Sequence, residues 1–449
     1  MPTLLATTNP KSKIQNPKLA SCGHCVEYER MSRRAFLANS LQAAGGLLFG
    51  HSLIALPSWM PRLRLADPHL GPRGDTLICL FLRGGADGLN IVVPHGDDGY
   101  YARRPTIGIA RPDDPSAEFK AIDLDGFFGL HPALTPLQEI YQNGHLAFVQ
   151  ATGSPDESRS HFEAMDLMER GAATSDYTGW LARHLASLDT GNESALRAIG
   201  VGDMLPASLT GAVSATALRS VAEYHLLGRD EQVGEMQSLL YTLYNQDDDL
   251  LKAAANQTFA AIEVLSRIDT TTYQPRGRAY PERDLGRSLL TVAQLIHAEV
   301  GVEVACLDLG GWDTHVAQGG GEGQMARLLD ELAQGLAAFY EDLQDKIGEV
   351  TVVVMSEFGR RLQENGGLGT DHGHGNMMMV LGGGISGRQV YTRWPGLQPE
   401  QLVGPGDLAI TTDYRDVLGE IIRKRLNNPG LDEVFPGYTV QEMGLAMVR

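Results

Sequence analysis

Four short runs of nearly unbroken apolar character constrain this chain most: Asp75–Leu82 (DTLICLFL), His145–Gly153 (HLAFVQATG), Val302–Leu309 (VEVACLDL) and Glu349–Met355 (EVTVVVM). A strand with one wet face alternates polar and apolar residues. A strand buried on both faces does not, and such strands belong to parallel sheets covered by helices. Between the third and fourth runs, Met325, Leu328, Leu329, Leu332, Leu336 and Phe339 recur at helical spacing. Strand, helix, strand in that order is a βαβ unit, so the expected fold class is α/β, with a mainly parallel sheet flanked by helices.

The stretch from Pro206 to Glu282 reads differently. It is helical and polar in patches, most clearly over Met236–Ile268, and ends in the Pro- and Gly-bearing segment TTYQPRGRAYPERD. We read residues 206–282 as a helical insertion covering one edge of the sheet. With 449 residues, 43% of them hydrophobic, the chain can bury a large core. A formal net charge of -18 excludes nucleic acid as an expected partner, because phosphate backbones demand basic faces. A small anionic substrate remains compatible with it, since a bound metal reverses the local sign.

Residues Ser32–Leu37 read SRRAFL and run into an uncharged apolar stretch ending at Leu56. Paired arginines before such a stretch resemble a twin-arginine export signal, which implies a periplasmic or extracellular protein. The stretch holds Gly45, Gly46 and Gly50 and is short for a spanning helix, so no stable membrane span is expected after export. The expected organisation is a leader extension over 1–30, a signal region over 31–66 and one domain over 67–449. Cys22 and Cys25 fall in the leader, and Met1 or Met31 is the start. Cys79 and Cys306 sit inside apolar runs and are expected to be core residues.

In open parallel sheets, ligands bind beyond the carboxyl ends of the strands. Asp87 follows the first run, Asp313 and His315 the third, and Glu357 the fourth; Asp371, His372 and His374 precede the apolar run NMMMVLGGG. Two glycines before Trp312 let the chain turn. Asp313 and His315 then share a face if the segment is extended, so both can meet one ion. Carboxylates and imidazoles gathered at one sheet edge suit one or two divalent ions: zinc, manganese or magnesium.

The segments SRRAFL, LRGGADGLNIVVPHGDDGYYARRP, SRSHFEAMDLME, GGWDTH, SEFGR and TDHGHGN resemble the family of exported bacterial proteins known as DUF1501. That family is similar to the alkaline phosphatase/sulfatase superfamily, which implies an alkaline-phosphatase-like α/β core, usually two metals, and a hydroxyl or formylglycine nucleophile at a helix start. By this resemblance Asp87 matches the first-strand metal ligand, Asp313 and His315 a later ligand pair, and His372 or His374 the last histidine. Glu357 falls where an Asp-His pair is usual.

Ser160 stands at the start of the expected helix SHFEAMDLMERG, where free N–H groups and the helix dipole receive an anion; it is the candidate nucleophile, or else an N-cap. Arg83 and Arg360 are the candidate clamps for an anionic oxygen. The expected function is metal-dependent hydrolysis of small phosphate or sulfate esters. The alternative is a non-catalytic periplasmic binding or assembly protein that keeps the fold.

Overall fold

The computed structural model describes residues 74–172, 177–212, 214–224, 230–244 and 249–449. The twin-arginine segment and the Cys22/Cys25 pair lie outside these. The four apolar runs become the strands β1 (Thr76–Leu82), β2 (Leu146–Gly153), β5 (Val304–Leu309) and β6 (Val350–Met355). Joined by β3 (Ala198–Val201), β4 (Ala215–Leu218), β9 (Asn376–Gly382), β10 (Val390–Tyr391) and β11 (Thr412–Asp413), they form one nine-stranded sheet. A two-stranded hairpin of β7 (Arg360–Glu364) and β8 (Thr370–His372) stands apart from it.

The order β10-β2-β9-β6-β1-β5-β3-β4 puts β1 at the centre, paired in parallel with β5 and β6. Only β9 runs against its neighbours, so the carboxyl ends of β1, β2, β5 and β6 and the amino end of β9 share one edge. The sheet is mainly parallel and flanked by helices, as the unbroken apolar runs require. Ile78, Leu80 and Leu82 pack on one face with Leu289, Val292, Leu332 and Leu336. Leu77, Cys79 and Phe81 pack on the other with Trp180, Val417 and Ile421. Alternate residues of β1 thus serve two cores, and neither set tolerates a polar side chain. Cys79 and Cys306 are free and buried, opposite one another in register.

Within 206–282 the helices Asp230–Tyr244 and Asp249–Leu265 form, but Ala215–Leu218 is itself the edge strand β4. Four residues are too few to show a period. The following Pro- and Gly-bearing segment is held by Asp342, whose Oδ2 accepts the hydroxyls of Tyr273 at 2.7 Å and Tyr280 at 2.9 Å. No helix among the described residues is long and apolar enough to cross a membrane.

Two buried histidines make the fold sensitive to acid. Burial pushes His131 and His184 down to about 4. Nδ1 of His131 accepts the Ala133 N–H, and Nδ1 of His184 accepts from Asn428, so protonation breaks a bond in each. Both folded values lie below the unfolded value of 6.5, so the unfolded chain binds more protons between pH 6.5 and 4. Their stabilisation is fully present above pH 6.5 and declines by on the order of 1 kcal/mol per pH unit per imidazole as pH falls through that window. The urea midpoint is therefore expected to drop between pH 7 and pH 5. A constant or rising midpoint would contradict this.

Candidate metal centre

Three loops and one helix start meet at the shared sheet edge. After β1, Gly84 has a φ of +122°, and a Cβ there would lie 2.6 Å from the backbone nitrogen of Asp313. A glycine is needed at this crossing. After β5, the buried indole of Trp312 anchors the GGWDTH loop in the core. Thr314 N–H donates to the Trp312 carbonyl at 2.8 Å and His315 N–H to that of Asp313 at 3.2 Å. These two tight bonds fold the segment rather than leave it extended, yet Asp313 and His315 still meet.

Asp313 is the hub. Its Oδ1 lies 3.0 Å from Nε2 of His315, 3.1 Å from Nε2 of His372 and 3.5 Å from Nε2 of His161. The Arg360 guanidinium donates to the same oxygen at 2.6 Å. Burial works against ionisation of Asp313, but the bonds from Arg360 and His372 outweigh it and hold the carboxyl down at about 2. The hub is therefore an anion at any physiological pH.

The imidazoles are oriented from behind. Nδ1 of His161 is bonded to Glu357 Oε1 at 2.7 Å, Nδ1 of His372 to the Arg159 carbonyl at 2.9 Å, and Nδ1 of His315 lies 3.5 Å from Asp371 Oδ1. An acceptor behind each ring turns its Nε2 toward Asp313. The Phe358 ring packs against both His161 and His372, with centroids 4.9 Å away in each case. Nε2 of His161 is buried and has no hydrogen-bond partner.

One ligand atom each from His161, Asp313 and His372 lies within 4.8 Å of the others. His315 touches two of the three. Ligands of a tetrahedral site with bonds near 2.0–2.1 Å stand about 3.3 Å apart. The Asp313–His161 and Asp313–His372 separations of 3.5 and 3.1 Å match that edge. The donor set of imidazole nitrogens and one carboxylate suits zinc or a neighbouring first-row divalent ion.

The other candidates are placed differently. Asp87 is wholly buried in a bidentate pair with Arg104, at 2.6 and 2.9 Å, and also accepts Gln318 Nε2 at 2.7 Å, so its oxygens are spent away from the cluster. Glu357 reaches the cluster only through His161. Its own oxygens accept Gly84 N–H at 2.9 Å and approach the Ser356 hydroxyl at 2.9 Å. His374 is not among the clustered ligand atoms, and burial depresses its basicity.

Arg83 pairs with Glu169 and Asp308. Arg360 donates to the carbonyls of Gly84, Gly85, Trp312 and Thr370 as well as to Asp313, so it ties the three loops together and is not left to grip an anion. Ser160 is exposed at the N-cap of the helix His161–Arg170, and its hydroxyl makes no cap bond.

Sequence reasoning did not pick out His161, Arg104 or Gln318. His161 is separated from Glu357 by 196 residues, and no local spacing links them. Gln318 joins two loops: its Oε1 accepts the hydroxyls of Thr314 at 2.9 Å and Thr370 at 2.8 Å while its amide reaches Asp87. The only local signal for His161 is its place at the start of a helix that follows a strand end.

No curated protein matches the chain by sequence. Among solved structures, a PsFucS1 sulfatase from Pseudoalteromonas sp. is similar at 13% identity and a TM-score of 0.30, over 72% of this chain and 64% of that one. The alkaline phosphatase from the Antarctic bacterium TAB5 is similar at 10% identity and a TM-score of 0.27, over 71% and 94%. The lipoteichoic acid synthase LtaP from Listeria monocytogenes is similar at 9% identity and a TM-score of 0.29, over 77% and 76%. These likenesses are distant, and the residue roles above rest on the site's own geometry. The family model described as protein of unknown function (DUF1501) matches residues 75–419, a span that takes in every strand end at this site, and the chain belongs to that family.

Proposed function

We propose that this protein is an exported, metal-dependent hydrolase of small phosphate or sulfate esters. The observation that carries the reading is the convergence of His161, Asp313 and His372, with an unpartnered Nε2 on His161, at the carboxyl edge of a parallel sheet. These three residues would hold the ion, and His315 borders it. A bound divalent ion supplies Lewis acidity and a lowered pKa for an adjacent hydroxyl or water.

The chain's own residues do the rest. Arg360 keeps Asp313 ionised, Glu357 and Phe358 fix the ring of His161, and the hydroxyl of Ser160 stands one residue from a ligand, uncommitted to the helix cap. The first N–H groups of the ten-residue helix starting at His161 offer donors to an anionic ester. Attack by Ser160 would expel the ester oxygen, and water would then release the serine.

With zinc or manganese supplied, the protein is expected to hydrolyse p-nitrophenyl phosphate or p-nitrophenyl sulfate, and Ser160→Ala to lower kcat/KM roughly 100-fold. A metal-loaded protein inert to both esters would instead favour the binding or assembly reading. One observation already points that way: the donors of Arg83 and Arg360 are engaged within the protein. Export rests on Arg33 and Arg34 before the apolar stretch. Replacing both by Lys should strand the protein in the cytoplasm on fractionation, because the receptor reads the guanidinium side chains. Unchanged delivery would remove export from the proposal.

A further inference from the structure

Glu357 is a fully buried carboxylate at the site, and its surroundings are unlike those of a ligand. Its side chain is 0% exposed. Oε1 accepts the Gly84 amide at 2.9 Å, a group that can only donate, and the same oxygen meets Nδ1 of His161 at 2.7 Å. Nδ1 therefore carries the ring proton, and in the neutral imidazole Nε2 is left with its lone pair. That lone pair is the buried atom without a partner that faces Asp313 at 3.5 Å.

Oε2 lies 2.9 Å from the Ser356 hydroxyl, which also accepts the Ala86 amide and stands 2.7 Å from the Leu82 carbonyl. The carboxylate is thus pinned to the ends of β1 and β6, the two central strands, before it touches the histidine. The other two rings have weaker supports: a neutral carbonyl behind His372, and a half-exposed Asp371 at 3.5 Å behind His315.

We infer that Glu357 is not a metal ligand but the positioning residue that fixes the His161 tautomer and delivers its Nε2 lone pair to the ion. The inference rests on the metal reading above for its purpose, while the tautomer itself does not need the metal. A carboxylate behind a ligating imidazole raises the basicity of the ligand nitrogen and removes the entropy of ring rotation, and losing such a partner costs about 10–100-fold in affinity.

The test pairs imidazole 15N NMR on metal-free protein with zinc titration against a chelating dye, on the parent, Glu357→Gln and Glu357→Ala. The parent is expected to show His161 protonated on Nδ1 and bare on Nε2. Glu357→Gln keeps an acceptor oxygen for both N–H groups and should keep that tautomer, with zinc weakened about 10-fold at most. Glu357→Ala should lose the tautomer and bind zinc about 10–100-fold more weakly. A parent protonated on Nε2, or a Glu357→Ala variant with the parent's tautomer, would overturn the inference, and the parent spectrum decides even if the alanine variant fails to fold. If Glu357 were a ligand, the glutamine variant would lose as much affinity as the alanine variant, and the visible spectrum of bound Co(II) would change with it. A parent that binds no zinc but shows the expected tautomer would sink the hydrolase proposal and the delivery to an ion, and leave the tautomer role of Glu357 standing.

Discussion

Arg104→Ala is expected to destabilise the protein by about 3–5 kcal/mol, a large part of the 5–15 kcal/mol that holds a typical domain together. The arginine makes five hydrogen bonds: to both oxygens of Asp87, to Asn90 Oδ1 and to the carbonyls of Arg361 and Leu362, all at 2.6–2.9 Å. Both it and Asp87 have side chains that are 0% exposed. Truncation leaves the Asp87 carboxylate buried with only Gln318 to face it. The damage should also travel, since Gln318 holds Thr314 and Thr370 in the two loops that present Asp313, His315 and His372.

Urea unfolding measures the loss. The double variant Asp87→Leu/Arg104→Met should be more stable than Arg104→Ala alone, because it removes both charges and keeps the volume. A single variant within about 1 kcal/mol of the parent would show that the pair is not what closes this part of the fold.

This pair also marks the limit of what the sequence discloses. The four apolar runs announced their strands and the parallel sheet, because burial on two faces erases alternation, and Cys79 and Cys306 lie in the core where such runs would put them. Position after a strand for Asp313 and His315, and before one for His372, also put these three at one edge, where they meet. It did not reveal which way a carboxylate turns. Asp87 and Asp313 both follow a glycine-bearing strand end, but Arg104 lies 17 residues beyond Asp87 and draws it inward.

Short strands such as β4 and the β7–β8 hairpin were missed because a few residues carry no period. His161 is not legible in the sequence because what distinguishes it is an unpartnered nitrogen, a property of the folded site alone.

The second large effect is expected at that nitrogen. His161→Ala should weaken zinc binding by more than the 10–100-fold that loss of an outer contact costs, since it removes a donor atom and not a support. His372→Ala should behave alike, having the matching separation of 3.1 Å from Asp313. A far smaller loss is expected for His374→Ala, as that imidazole is not among the three clustered ligand atoms. If His374→Ala costs as much as His161→Ala in a competitive zinc titration, the assignment of ligands is wrong.

Elemental analysis of protein purified without chelators tests most directly whether Asp313 and the imidazoles around it hold a metal ion. The parent should carry about one equivalent of zinc or another first-row divalent ion at the three-ligand set. Asp313→Asn should carry none, because the hub loses its charge, while circular dichroism reports an intact fold. A metal-free parent, or an Asp313→Asn variant with full metal content, would contradict the account.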